Sequence, residues 1–198
     1  IATWLRAKDA ALAGDWTGVR TSGTVEIAGD LWTLSGDAAL SRDAIRQLIT
    51  TYCRAADRAD TPLMRSIFWD DATIVSGVVN GGPDDFAREV TDFVLNSFAS
   101  TFHSIANEWI EVAGDHGVGE HYVIAHNRND TTETLTGGRY LDSYLRRDGV
   151  WKIHSRTFIC DWVSSQASTF EPGGFYEGLT TRGRFGQDDP VYAHWRSL

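Results

Sequence analysis

Tyr144-Leu145-Arg146-Arg147-Asp148-Gly149-Val150-Trp151-Lys152 reads as two strand ends joined by a tight turn. Asp-Gly supplies the positive backbone angles that a two-residue hairpin loop requires. Outward from this turn the chain keeps strand character in both directions. Thr132 to Arg146 precedes it and Val150 to Trp162 follows it, with Thr101 to Val112 and Gly117 to Asn127 further upstream. Gly114-Asp115-His116 and Asn129-Asp130 mark the remaining links. Four long strands with short links predict an antiparallel meander.

Before Thr101 the apolar period changes from two to 3.6. Ile45, Leu48, Ile49, Tyr52 and Ala56 share one face of a helix expected from a Ser41 cap to about Ala59. Thr61, as cap, and Pro62 restart a short second helix leading to Trp69, and Asp70-Asp71 break it. Ala72 to Val78 reads as a strand. Asp84 or Asp85 opens a third helix with Phe86, Val90, Phe93 and Val94 on one face. Helices first and a meander second predict α+β: a cone-shaped, curved antiparallel sheet covered by N-terminal helices. Residues 1–40 read as an extension, with a helix over Thr3 to Leu12 and a hairpin turning at Gly29-Asp30. Residues 41–163 form the main domain. Residues 164–198, rich in Gly and aromatics, form a tail that packs on the domain or at a subunit interface.

A net charge of −9 argues against nucleic acid or an anionic membrane as partner. No apolar run approaches the ~20 residues that span a bilayer. Cys53 and Cys160 read as reduced, buried thiols, which points to a cytoplasmic location. Eight Trp suggest a core plus an aromatic-lined pocket for a flat apolar ligand. There is no Gly-rich phosphate loop, Cys-x-x-Cys or His-Glu-x-x-His, and His121 and His126 fall on opposite faces of a strand. No metal or cofactor is expected.

Two residues stand out for proton transfer. Asp57 ends the first helix at the edge of its apolar stripe, where partial burial makes a carboxylate a site candidate. A solvated helix end, or a salt bridge to Arg58 or Arg65, is the plainer alternative. Asp60 competes with it but has a simpler role beside Thr61-Pro62. His103 opens a strand among apolar neighbours. It suits proton transfer near neutral pH, although a satisfied core histidine explains it equally.

Ala56-Asp57-Arg58, Ser66-Ile67-Phe68-Trp69-Asp70-Asp71-Ala72, Phe102-His103 with Asn107, and the hairpin tip Tyr144 to Lys152 follow one another in a familiar order. From about Ser41 to Trp162 the chain resembles the SnoaL-like, nuclear-transport-factor-2-like family. Within it, the likeness is to bacterial hexachlorocyclohexane dehydrochlorinases and fungal scytalone dehydratases. The resemblance implies a cystatin-like α+β barrel in which Asp57 orients His103 and His103 removes a proton. It matches Arg156 to a pocket arginine that stabilises a departing anion or oxyanion. His121 departs from the dehydrochlorinases, which are apolar there, and compares with a second pocket histidine of the dehydratases. Tyr52 stands where the dehydrochlorinases carry lysine. Tyr140 is expected to face inward onto a substrate oxygen. Trp69, Phe158, Cys160 and Trp162 complete the candidate substrate wall; the last three share the parity of Arg156, and core packing is the plainer reading of them.

The function implied is a cofactor-independent lyase acting on a small hydrophobic, aromatic substrate. It would eliminate water or halide, or cleave a carbon–carbon bond to release formaldehyde from a lignin-derived diarylpropane. An isomerase or polyketide cyclase, and a non-catalytic ligand-binding module, are the other classes this fold hosts. Relatives of this kind are often trimers, so a homo-oligomer is expected.

Overall fold

The computed structural model describes residues 25–27, 31–34 and 36–197, with side chains from residue 37 onward. The helix expected over Thr3 to Leu12 and the turn at Gly29-Asp30 lie outside the described residues. The chain divides between Ala44 and Ile45 into two units. In the first, β1 (Val25–Ile27) pairs antiparallel with β2 (Leu31–Leu34).

Helix α1 (Gly36–Arg58) starts earlier than a Ser41 cap predicts. Asp37 in its first turn complements the helix dipole, and Ala38, Ala39 and Leu40 are good helix formers. Ile45, Ile49, Tyr52, Cys53, Ala55 and Ala56 are its buried stripe. Ala59 takes a left-handed conformation at φ 50° and turns the chain. Helix α2 (Thr61–Ser66) is capped by Asp60 rather than Thr61, because the Asp60 carboxylate accepts the Leu63 N–H at 3.0 Å.

Strand β3 (Phe68–Val75) begins earlier than predicted. Helix α2 has already ended at Ser66, so Asp70 and Asp71 do not terminate it as expected but lie within β3, where Arg65 and Arg147 pair with them at the surface. β4 (Asn80–Gly81) and helix α3 (Pro83–Ser97) follow, then β5 (Ser100–Ala113), β6 (His116–Arg128), β7 (Thr132–Arg147) and β8 (Val150–Ala167). The sheet order is β4-β3-β8-β7-β6-β5. It is mixed rather than purely antiparallel: β5 to β8 form the expected meander, whereas β3 pairs parallel with β8. At the deciding turn Asp148 and Gly149 carry φ of 51° and 80°, as an Asp-Gly hairpin loop requires.

Along β6 the residues Gly117, Gly119, His121, Val123 and Ala125 are buried and their neighbours are not, so one face is core and one is open. α1 crosses β6 closely, and a Cβ on Gly117 would sit 3.0 Å from Ile45 Cδ1. Register shifts interrupt β5 between Ile105 and Glu108, and β8 at His154 and Asp161. Each inserts residues into one strand, bends it and reverses its face parity.

β8 outruns the predicted end at Trp162, because Ser164–Ala167 still pair with Thr132–Leu135. Their polarity hides them from a hydrophobic pattern. Two short 3₁₀ turns and helix α4 (Pro190–Trp195) end the described chain. On the outer face of the sheet Trp109, Val118, Ile124, Leu135, Leu141 and Trp162 are exposed. Among the described residues no helix is long and apolar enough to cross a membrane.

Candidate active site

The end of α1 brings Asp57 to the start of β5. Its carboxylate accepts the His103 backbone N–H on Oδ2 at 3.0 Å and the Thr101 hydroxyl on Oδ1 at 3.1 Å. His103 Nδ1 lies 2.6 Å from Oδ1. Both side chains are nearly buried, 13% exposed for His103 and 11% for Asp57. Hydrogen bonds to a charged partner contribute about 1.5–3 kcal/mol each, so this carboxylate fixes the ring. An ionised carboxylate only accepts, which puts the imidazole proton on Nδ1 and leaves Nε2 with its lone pair.

His103 lines a cavity of about 290 Å³. Val90, Phe93 and Val94 of α3, with Phe98, Val78, Val123, Ala125 and Phe158, make most of its wall apolar. Tyr52, Tyr140 and Arg156 form one polar region; Asn127, Thr134 and Thr136 form another. The sheet register explains the second, since Thr101, Asn127 and Thr134 are consecutive cross-strand partners on one face.

Arg156 is fully buried. Asp142, its direct cross-strand partner, grips it through Nε–Oδ1 at 2.8 Å and Nη2–Oδ2 at 2.7 Å. The guanidinium sits against the rings of Tyr52 and Tyr140, 4.1 and 4.2 Å from their centroids. Nη1 has no hydrogen-bond partner among the described residues. Burial opposes its charge, but Asp142 more than offsets this and holds Arg156 above the usual arginine range. Burial raises the Tyr52 and Tyr140 phenols despite the opposing pull of Arg156, so both keep their protons near neutral pH.

His121 does not reach this cavity. It is wholly buried, with Nε2 2.9 Å from the Tyr144 hydroxyl. That hydroxyl donates to Asp142 Oδ2 at 2.9 Å. Tyr144 therefore accepts from His121, which places the His121 proton on Nε2 and leaves Nδ1 buried without a partner among the described residues. Burial lowers the His121 pKa, against the pull of Asp142. The cluster needs Gly119: a Cβ there would lie 2.5 Å from His121 Nε2 and 3.1 Å from the Tyr144 ring.

Three further candidates lie away from the cavity. Trp69 is held by its Nε1–H to the Leu145 carbonyl at 2.9 Å, with Arg147 and Lys152 over its ring at 4.9 and 5.3 Å. Arg147 also grips Asp71 at 2.9 and 2.8 Å, so the Trp-Asp-Asp-Ala and hairpin motifs staple each other. The extra residue at Asp161 reverses parity and sends Trp162 to the outer face over Gly137. Cys160 is exposed rather than buried, while the buried Cys53 thiol is pushed up to about 12 by desolvation. Sequence reasoning missed Thr101, Gly119, Asp142 and Tyr144. The alternation Tyr140-x-Asp142-x-Tyr144 in β7 was the available signal. Among the described residues no three His, Cys, Asp or Glu side chains cluster as a metal site requires.

Comparison with known proteins agrees with this architecture. The chain is 27% identical over 144 residues to gamma-hexachlorocyclohexane dehydrochlorinase of Sphingobium indicum, covering 70% of this chain and 92% of that protein. The crystal structure of a hexachlorocyclohexane dehydrochlorinase from Novosphingobium barchaimii superimposes with a TM-score of 0.62 at 26% identity, over 68% of this chain and 97% of that one. A scytalone dehydratase-like protein from Novosphingobium aromaticivorans shares the fold, with a TM-score of 0.59 at 19% identity, over 64% and 87% of the two chains. The model of the SnoaL-like domain matches residues 37–157, and the chain belongs to that family.

Proposed function

We propose that this protein is a cofactor-independent lyase in which His103 is the base and Asp57 its orienting partner. One observation carries this reading: His103 has Nδ1 bound to Asp57 at 2.6 Å and lies in the wall of a largely apolar cavity of about 290 Å³. A carboxylate on one imidazole nitrogen raises the basicity of the other. The cavity approaches the small end of ordinary ligand pockets, which suits a compact, mainly hydrophobic molecule.

In the elimination His103 Nε2 takes a proton from carbon, the C–H electron pair becomes a double bond, and the bond to halide or hydroxide breaks with its electrons on the departing group, hydroxide leaving as water with the proton returned by the imidazolium. The Tyr52 and Tyr140 hydroxyls hold the departing group, with the Arg156 charge behind them. A substrate carrying a hydroxymethyl group offers a second course. The base takes its hydroxyl proton, the carbon–carbon bond breaks to release formaldehyde, and that bond's electrons form the double bond. The neighbouring hydroxide departs as water with the proton returned by the imidazolium. Asn127, Thr134 and Thr136 support an oxygen-bearing aromatic such as a diarylpropane over a wholly halogenated substrate.

Product mass tests the reaction class. Incubation with aryl-substituted alcohols, halides and hydroxymethyl compounds is expected to give products lighter by water, hydrogen halide, or formaldehyde plus water. Products of unchanged mass contradict the lyase reading and indicate an isomerase or cyclase. The apolar outer sheet face supports a homo-oligomer, and a trimer is the form we infer. Sedimentation at the 21.9 kDa of a single chain contradicts it. The free thiols of Cys53 and Cys160 support a cytoplasmic workplace.

A further inference from the structure

The C-terminal helix α4 lies outside the family's domain, yet its contacts converge on the segment that carries Asp57. Arg58 donates through Nη1 to the carbonyl of Asp57 itself at 3.0 Å, and its Nε is ion-paired with Asp189 at 3.1 Å. Asp189 is only 4% exposed. It caps α4 by accepting the Val191 N–H at 2.9 Å and also takes the Arg184 N–H at 2.8 Å. Tyr192 donates its hydroxyl to Asp60 Oδ2 at 2.5 Å, while Asp60 Oδ1 caps α2. Burial and this contact push the Tyr192 phenol up to about 12. One turn earlier on α1, Arg54 stacks on Tyr192 and Trp195, 5.5 and 5.1 Å from their centroids. α4 therefore grips residues 54, 58 and 60, on both sides of Asp57. Between the last two lies Ala59, in a left-handed conformation that a residue with a Cβ keeps only when its surroundings impose it.

We infer that α4 is a latch that fixes the direction of the Asp57 carboxylate, with Asp189 and Tyr192 as positioning residues for the Asp57–His103 pair. The inference rests on the role given to that pair above. The Asp57–Nδ1 bond is directional, and a shift of about 1 Å in a catalytic group costs on the order of 100-fold in rate. The helix end that bears Asp57 is where an α-helix runs out of internal hydrogen bonds. External anchors at 58 and 60 supply the rigidity that the helix itself lacks there.

Nuclear magnetic resonance on the full chain tests this without a substrate, so its failure and that of the lyase reading are separable. The His103 Nδ1 proton, held by Asp57, is expected as a far-downfield, slowly exchanging signal. In Asp189→Asn/Tyr192→Phe the α4 amides lose protection. The His103 proton then exchanges about tenfold faster, the equivalent of roughly one hydrogen bond. Arg147→Ala, which breaks the remote surface pair with Asp71, leaves it unchanged. Tyr192→Phe alone removes one O–H, keeps the ring on Arg54, and shows the same change in smaller degree if the double variant does not fold. Three results overturn the latch: an unchanged His103 signal while α4 is released, an equal change in Arg147→Ala, or α4 amides that stay protected with both anchors removed.

Discussion

Two histidines face the inside of the same sheet, and they are built for opposite ends. His103 gives Nδ1 to a carboxylate and lines a cavity. His121 gives Nε2 to Tyr144 and keeps Nδ1 for nothing, sealed behind the Tyr144–Asp142–Arg156 chain. Both lie within two bonds of an aspartate, so proximity to a carboxylate does not distinguish them. What differs is access: the ring of one lines space that a ligand can fill. The same contrast separates the carboxylates. Asp57 receives neutral donors and holds the His103 ring, whereas Asp142 neutralises a buried cation.

Arg156→Met breaks this contrast most severely. It strands the Asp142 carboxylate in the core with the Tyr144 hydroxyl as its remaining partner. A loss of about 3–5 kcal/mol in denaturant unfolding is expected. Arg156→Met/Asp142→Leu removes both charges and is expected to recover most of it. If the double variant is as unstable as the single one, the pair is not what holds this part of the core.

His121→Phe is the smaller change. At pH 7.5 stability is expected to move by no more than about 1 kcal/mol, because the variant also removes a buried polar atom without a partner. The sharper readout is pH. Burial depresses the His121 pKa in the folded state, so the unfolded chain binds the proton more readily. The stability that neutral His121 supports is present above the unfolded value of about 6.5 and is lost as pH falls below it. Unfolding midpoints measured from pH 7.5 to 5 should therefore fall less in His121→Phe than in the unaltered protein. Parallel curves contradict a buried neutral histidine.

Much of the fold was legible because strong local signals carry it. The 3.6 period in α1 and α3 and the Asp148-Gly149 turn each act over a few residues. Places where the structure departs from expectation are those where one strand answers to another. Parity from Arg156 predicted Trp162 on the inner face, but the extra residue at Asp161 sends it outside. Asp70-Asp71 was expected to end the second helix, but that helix stops at Ser66 and the pair lies in β3, held by Arg65 and Arg147. Trp69 and His121 were assigned to a pocket by family order, whereas a staple and a glycine gap set their positions. Asp57 and His103 were distinguishable as residues, but the donors from Thr101 and the His103 backbone exist only once α1 meets β5.

The most direct test puts the two histidines in one assay. Turnover of any substrate found by product mass is measured in His103→Gln, Asp57→Asn and His121→Phe, each verified as folded. General acid–base groups contribute about 10²- to 10⁴-fold, so His103→Gln and Asp57→Asn should lose activity on that scale while His121→Phe keeps it within about threefold. Full turnover by folded His103→Gln, or a loss in His121→Phe as large as that in His103→Gln, contradicts the account.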